Sequence, residues 1–430
     1  MGKSLSDFGI HEVFQQANLE IQRTKDIIDA LDAPIPEECI DCIQRLNPAQ
    51  KEAFTCIMQH VNDKQPGAFF IDGPGGTGKT FLYNALYAEI RLVNKIVLPT
   101  ATSDIAAANI PFGRTTHSRF KIPLDSNASL ACAVPKQGNL AALLRETTFI
   151  IWDEASMAHK ENMESLDMLL QDLCENDSLF GGKVVVFVGD FRQVLPIVPR
   201  KTQQEAVKDS VVTSYLWPKL KTFKLTENIR ARYDPLYSAF LLSLGNGELQ
   251  QAENGYVPLS MEIVQPLAMD KDPVEEIMAA TFPEFKGGGF GSDIFTKRAL
   301  LTPMNDDYSV YPKEFINKLC PWGMSPHELV LKKDYPVILL RNILPSAGLW
   351  PCFSHGQLYV ALSRAKKSTK IVVYTAVPPE QYTVNFTKNI VSYDVLQLAA
   401  PDNDTKGVVT TPSMKDANKD NSPPASLNQE

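Results

Sequence analysis

Eight consecutive residues, Gly73-Pro74-Gly75-Gly76-Thr77-Gly78-Lys79-Thr80, satisfy the pattern G-x-x-x-x-G-K-[ST]. Each residue type has a task in holding a polyphosphate. The glycines let the backbone curl until several N–H groups face one cluster of phosphate oxygens, the Lys79 ammonium reaches the outer phosphates, and the Thr80 hydroxyl is a ligand for magnesium. Further along, Asp153-Glu154 closes the apolar run Thr148-Phe149-Ile150-Ile151-Trp152. An acidic residue in that position can hold the metal and its neighbour can orient an attacking water, so Asp153 is assigned to the metal and Glu154 to water activation. An acidic helix cap after a strand is the alternative for this pair taken alone. Loop and acidic pair together imply a bound nucleoside triphosphate with Mg2+, and its hydrolysis.

Such groups need a frame. Residues 68–71 read as a buried strand entering the loop, and Phe81-Leu82-Tyr83-Asn84-Ala85-Leu86 opens an amphipathic helix whose N-terminal dipole favours an anion. Buried strands over 69–72, 96–99, 149–153, 184–188 and 223–225 alternate with helical stretches between residues 46 and 230. That alternation predicts an α/β domain with a mainly parallel sheet covered by helices, and ligands gather at the carboxyl ends of such strands. From 231 to 400 the pattern weakens, with strands expected at 299–301, 336–340 and 370–374 and a helix at 357–364. A second, incomplete α/β domain is expected there. Residues 1–45 read as a helical or partly ordered lead-in. Residues 401–430 are polar, with few large apolar groups, and read as a disordered tail.

At 430 residues the chain is long enough for two or three domains. The net charge is −8 and the isoelectric point about 5.4, so no global positive field draws nucleic acid, and any such binding must rest on local basic patches. Seven cysteines offer no set of partners at metal-site spacing, Cys39 and Cys42 included, which argues against structural zinc or a disulfide framework. No stretch approaches a membrane span and no signal pattern opens the chain. A soluble, intracellular protein without membrane association is expected. Met1-Gly2 with Ser6 matches the loose myristoylation pattern M-G-x-x-x-[ST] only formally.

Four further segments narrow the reading: Leu46-Asn47-Pro48-Ala49-Gln50, Val188-Gly189-Asp190-Phe191-Arg192-Gln193-Val194-Leu195-Pro196, Leu225-Thr226-Glu227-Asn228-Ile229-Arg230 and Leu358-Tyr359-Val360-Ala361-Leu362-Ser363-Arg364. In this order, from about residue 46 to 395, they resemble the PIF family of superfamily-one DNA helicases, including the helicase segments of plant Helitron-type elements. The resemblance implies a P-loop NTPase with two RecA-like domains that hold ATP and Mg2+ in the cleft between them. It also implies translocation five-prime to three-prime on single-stranded or forked DNA by a monomer in the nucleus, with the mitochondrion as the alternative, and roles in DNA repair, recombination or telomere maintenance.

Carried over residue by residue, Gln50 would read the adenine edge, although Asn47, Pro48 and Gln50 also spell a helix cap. Gln193 would sense the terminal phosphate or position water, and its alternative is a polar residue in the turn before Pro196. Arg230 and Arg364 match arginines that stabilise charge on the transferring phosphoryl group, the alternative for each being a surface salt bridge. DNA contact would come from Thr102 and Ser103 and from the block Arg114, Thr115, His117, Ser118, Arg119, Phe120 and Lys121, with Phe120 and His117 as stacking surfaces. A solvated basic loop is the alternative.

The chain departs from the family in two places. Leu339-Leu340-Arg341-Asn342 is followed almost at once by Phe353-Ser354-His355-Gly356-Gln357, where the family has a Gln-Gly-Gln-Thr block and a small barrel-like insertion, and a shorter gap lies near Asp306-Asp307-Tyr308. Asp104 also puts an anion where relatives usually have glycine. A shortened copy, or a gene model missing exons, is the simplest account. The competing readings are a non-unwinding, ATP-dependent DNA-binding protein and, against the specific motifs, a small-molecule P-loop kinase.

Overall fold

The computed structural model describes residues 25–123, 130–196, 203–252, 255–266, 273–283, 354–375 and 385–400. The strands expected at 299–301 and 336–340, both departures from the family pattern and the C-terminal tail lie outside them.

Helix α1 spans Glu37–Gln44 and α2 Pro48–Asn62. Asn47 caps α2 and Pro48 opens it, its fixed φ suiting the first turn. Strand β1, Gly67–Asp72, leads through the glycine-rich loop into α3, Lys79–Leu92. Then follow β2 (Ile96–Ala101), α4 (Asp104–Ala108), β3 (Arg114–Thr115), α5 (Thr116–Phe120), α6 (Asn139–Glu146), β4 (Thr147–Asp153), α7 (Lys160–Cys174), β5 (Val184–Gly189), α8 (Gln203–Asp209) and β6 (Lys221–Lys224). The six strands form one sheet in the order β3-β2-β4-β5-β1-β6, every neighbouring pair parallel.

Alternation along the strands builds a core on each face of the sheet, as expected for parallel strands covered on both sides. Phe70, Ile150, Trp152, Val185 and Phe187 pack with α6 and α7, while Phe69, Ile71, Phe149, Val186 and Val188 pack with α2 and α3. The expected α/β architecture is therefore present, and each strand expected between residues 46 and 230 lies within an observed one except at 223–225, where β6 ends one residue earlier; of the strand expected at 370–374 only residues 373 and 374 are extended in a sheet. The lead-in is not separate from this body. Cys39 and Cys42 are buried on one face of α1, and the Arg91 guanidinium of α3 donates to the carbonyls of Leu31 and Ala33, the latter at 3.0 Å. Burial pushes the Cys39 thiol up to about 11, and both thiols are free. Among the described residues no helix is long and apolar enough to cross a membrane.

The second body is smaller. Helix α9 (Pro235–Asn246) precedes β7 (Tyr256–Pro258), β8 (Val264–Pro266) and α10 (Pro273–Thr281), and then come α11 (Gln357–Leu362), β9 (Val373–Thr375), β10 (Phe386–Lys388) and α12 (Tyr393–Ala399). Strand β7 pairs antiparallel with β10, and β8 pairs parallel with β9. Tyr237, Leu241 and Leu244 of α9 close a third core with Leu358, Tyr359 and Leu362 of α11. Helix α12 falls within the expected second domain but packs on the first: Val395 joins the core beside Trp217, whose indole N–H donates to the Leu398 carbonyl at 3.1 Å.

Candidate active site

The loop after β1, the acidic pair after β4 and the turn after β5 all emerge at the carboxyl edge of the sheet. The Lys79 ammonium folds over the loop, donating to the Gly73 carbonyl at 2.5 Å and to that of Pro74 at 3.5 Å. Two glycines are dictated by close approach. At Gly76 (φ +90°) a Cβ would lie 2.7 Å from both Arg230 Cβ and Asn228 Oδ1, and at Gly78 (φ +82°) it would lie 2.5 Å from Gln50 Nε2. Thr80 is exposed at the start of α3, where its hydroxyl can meet a metal.

Gln50 is wholly buried, and its side chain is fully engaged. Its Oε1 accepts from the Asn47 N–H at 3.0 Å while Asn47 Oδ1 accepts from the Gln50 N–H at 2.9 Å, which completes a capping box. Its Nε2 donates to the carbonyls of Thr77 and Gly78, each at 3.2 Å. The capping alternative is thus realised, and Gln50 props the phosphate loop as well. Reading an adenine edge would require these bonds to open.

Asp153 Oδ1 accepts from the Glu154 N–H at 2.9 Å. Glu154 adopts left-handed backbone geometry (φ 52°), and its Oε2 is buried without a hydrogen-bond partner. Burial pushes its carboxyl up to about 7; the Asp153 charge adds to the rise, and Lys79 opposes it. Burial likewise raises Asp153. A buried carboxylate oxygen with nothing to bind is costly unless it has a ligand or a proton to handle. Among the described residues no three His, Cys, Asp or Glu side chains gather to hold a metal. Thr80 and one carboxylate suit Mg2+, which is commonly bound by one or two protein groups plus phosphates.

The turn after β5 carries groups to which the sequence alone gives no role. Asp190 is fully buried and takes four donors on its carboxylate: the Arg192 N–H (3.1 Å) and guanidinium (3.4 Å) on Oδ1, and Gln193 Nε2 (3.2 Å) and the Tyr359 hydroxyl (3.1 Å) on Oδ2. Arg192 also donates to Asn246 Oδ1 at 2.7 Å and lies 3.8 Å from Asp72. The turn is pinned from beneath, where Phe191 stacks on Phe70 with centroids 5.0 Å apart and meets Trp217 edge-on at 5.4 Å. His355 Nε2 donates to the Phe191 carbonyl at 2.8 Å, since its Nδ1 accepts from the Ser392 N–H. Gln193 is therefore held on a fixed platform, tied through Asp190 Oδ2 to the Tyr359 hydroxyl.

Arg230 reaches the same edge. Its Nη1 donates to the Ser363 carbonyl at 2.9 Å, and its backbone N–H donates to the Gly76 carbonyl at 3.2 Å. Burial and the neighbouring Arg364 cation both lower its pKa. Arg364 is exposed at the end of α11, near enough for its charge to reach Glu154. Two cations, one from each body, thus converge on the loop and the acidic pair.

The expected DNA block is only partly available. Phe120 is buried in the core beside Trp152 and cannot stack on a base, because α5 turns Thr116 and Phe120, four residues apart, to one inward face. The Thr102 hydroxyl donates to the Glu154 carbonyl at 2.8 Å and accepts from the Trp152 indole at 3.0 Å, so it braces the acidic pair. Ser103 and Thr115 cap α4 and α5, and Asp104 stands in the first turn of α4, where an anion suits the helix dipole. His117 is half-buried, and burial lowers its pKa; Arg119 is half-buried and pushed down to about 10, chiefly by burial. Arg114, Ser118 and Lys121 are exposed. Phe120→Ala is expected to cost about 3–5 kcal/mol of stability by chemical denaturation. Arg114→Ala and Lys121→Ala are expected to stay within about 0.5 kcal/mol.

A family model described as PIF1-like helicase matches residues 45–255, and one described as DNA helicase Pif1, 2B domain, matches residues 314–350. The second match takes in Leu339 to Asn342, so sequence of that domain is present just before the point where the family insertion was expected to be missing. The chain is 30% identical to ATP-dependent DNA helicase PIF4 of Trypanosoma brucei brucei over 171 residues, 38% of this chain and 20% of that protein. To ATP-dependent DNA helicase PIF1 of Candida albicans it is 29% identical over 293 residues, 64% of this chain and 31% of that one. It spans a fifth to a third of the length of these relatives. A crystal structure of Pif1 helicase from Bacteroides in complex with ADP-AlF3 and ssDNA covers 80% of this chain and is itself covered to 95%, at 19% identity and a TM-score of 0.47.

Proposed function

We propose, because this chain belongs to the PIF1-like helicase family, that it hydrolyses ATP with Mg2+ and couples the hydrolysis to translocation on single-stranded DNA and to unwinding of forked duplex. The observation that carries this reading is the convergence on one sheet edge of Lys79, the Asp153-Glu154 pair, Gln193 on its Asp190 platform, and Arg230. Thr80 and Asp153 would hold Mg2+, which when bound neutralises charge on the outer phosphates. The loop N–H groups and Lys79 would hold those phosphates, Glu154 would take a proton from the attacking water, and Gln193 would orient that water. Arg230 and Arg364 would meet the charge that develops on the transferring group. Arg114, Ser118 and Lys121 offer donors to DNA phosphates. Action as a monomer in the nucleus or mitochondrion, in repair, recombination or telomere maintenance, is the family-based extension of the same proposal.

The test is ATP turnover with and without single-stranded DNA, alongside unwinding of a forked duplex. Stimulation by DNA together with unwinding is the expected result. Turnover or DNA binding without unwinding would favour the non-unwinding alternative, and DNA-independent turnover on a metabolite would overturn both. Glu154→Gln, which keeps the shape but removes the base, is expected to lower kcat about a hundredfold. Steady-state phosphate release and fluorescent-ADP titration check it, ADP affinity staying within about threefold of wild type.

A further inference from the structure

The Tyr359 hydroxyl accepts the Gly75 N–H of the phosphate loop at 2.7 Å and donates its only proton to Asp190 Oδ2 at 3.1 Å. That same oxygen accepts from Gln193 Nε2. One atom of the second body thus ties together the two parts of the first that face the outer phosphate. We propose that Tyr359 is a positioning residue, which couples the approach of the second body to the phosphate loop and to Gln193 through Asp190. The inference rests on reading the site as an ATPase and adds how the second body controls it.

The surroundings fit a hydroxyl placed for this purpose. The Tyr359 ring is 1% exposed, held in the core of α9 and α11. Gly245 makes room for it, since a Cβ there would lie 2.9 Å from Tyr359 Cδ2. On the other side, a Cβ on Gly75 would meet Ser363 Oγ at 3.1 Å and Cβ at 3.2 Å, so the loop is bare where α11 presses on it. Burial and the Asp190 charge push the phenol far above its ordinary range, and it remains a neutral donor to the carboxylate. If α11 withdraws, Asp190 Oδ2 keeps Gln193 as its only side-chain donor, and the Gly75 N–H is released. Both changes alter the groups nearest the outer phosphate in one motion. Losing a hydrogen bond to a charged group is worth roughly tenfold or more in a step that depends on it.

The experiment is a cycle of Tyr359→Phe, Gln193→Ala and the double variant in the full chain. Phosphate release is measured, together with the affinity for fluorescent ADP with and without aluminium fluoride. Tyr359→Phe keeps the ring and therefore the packing. It is expected to lower kcat about tenfold at unchanged KM and to shrink the affinity gained with aluminium fluoride by a similar factor, leaving ADP affinity within twofold. In the Gln193→Ala background its further effect is expected to shrink to about threefold, because the arm through Asp190 is gone and only that through Gly75 remains. A kcat and fluoride gain within twofold of wild type, or a full tenfold effect persisting in that background, overturns the coupling. So does a rise in KM at constant kcat. If the wild-type chain itself neither binds nor turns over ATP, the ATPase reading fails and the coupling falls with it; active wild type with an unaltered Tyr359→Phe variant overturns the coupling alone.

Discussion

Replacing Lys79 by alanine is expected to lower ATP turnover about a thousandfold, equivalent to about 4 kcal/mol of transition-state stabilisation. The ammonium already lies across the mouth of the loop on the carbonyls of Gly73 and Pro74. A phosphate entering there would exchange those two carbonyl contacts for one with an anion, at little cost in rearrangement, because the stem of Lys79 starts at the first turn of α3. The fold depends little on the bond: Lys79 and Pro74 are only half-buried, although Gly73, the other acceptor, is buried. The variant is therefore expected to unfold within about 1 kcal/mol of wild type while losing both DNA-stimulated phosphate release and strand separation. Phosphate release under saturating single-stranded DNA, with denaturant unfolding as the control, decides it. Turnover within tenfold of wild type would remove the loop from the chemistry.

The residues at the sheet edge differ in how far the chain alone discloses them. The loop and Asp153-Glu154 are legible because their chemistry is local: strand, turn and helix follow one another, and the positive φ of Gly76 and Gly78 is a feature of the loop itself, whatever distant side chains also crowd them. Gln50 was ambiguous for a physical reason. A capping box and a base-reading amide need the same residue at the same place, and only the contacts with Thr77 and Gly78 show where both ends of the side chain go. Asp190 and Tyr359 lie inside recognisable motifs, but the sequence gives them no role, since their bond joins positions 169 apart and that of Tyr359 with Gly75 joins positions 284 apart. Nothing in spacing or periodicity encodes such a pairing. Phe120 failed differently. In a block of mixed cations and hydroxyls an aromatic looks like a stacking surface, but a five-residue helix is enough to turn it inward, and so short a helix leaves hardly any periodic signal. The same holds for α1, whose Cys39 and Cys42 are buried, and for Ile27, Ala30 and Leu31 before it, which pack against the core although they lie in the lead-in.

Arg230→Ala is expected to lower kcat about a thousandfold while leaving the affinity for ADP within about threefold, because in the proposed reaction the guanidinium meets charge that exists only while the phosphoryl group is in transit. Its place is fixed from two sides. The backbone N–H of Arg230 is held by the Gly76 carbonyl, and Nη1 by the Ser363 carbonyl of the second body, so the side chain can act only when α11 lies against the loop. A lysine cannot reproduce this. It has one compact ammonium in place of a planar fork, and satisfying Ser363 would turn its charge away from the phosphate. Arg230→Lys is accordingly expected to recover less than tenfold of the lost turnover. Arg364, exposed and without such anchors, cannot substitute at fixed geometry, although its charge reaches Glu154. Single-turnover hydrolysis of the wild type and the two variants separates these effects from product release. Should Arg230→Lys restore most of the rate, charge alone would be sufficient, and the tie to Ser363 would be a packing contact rather than part of the reaction.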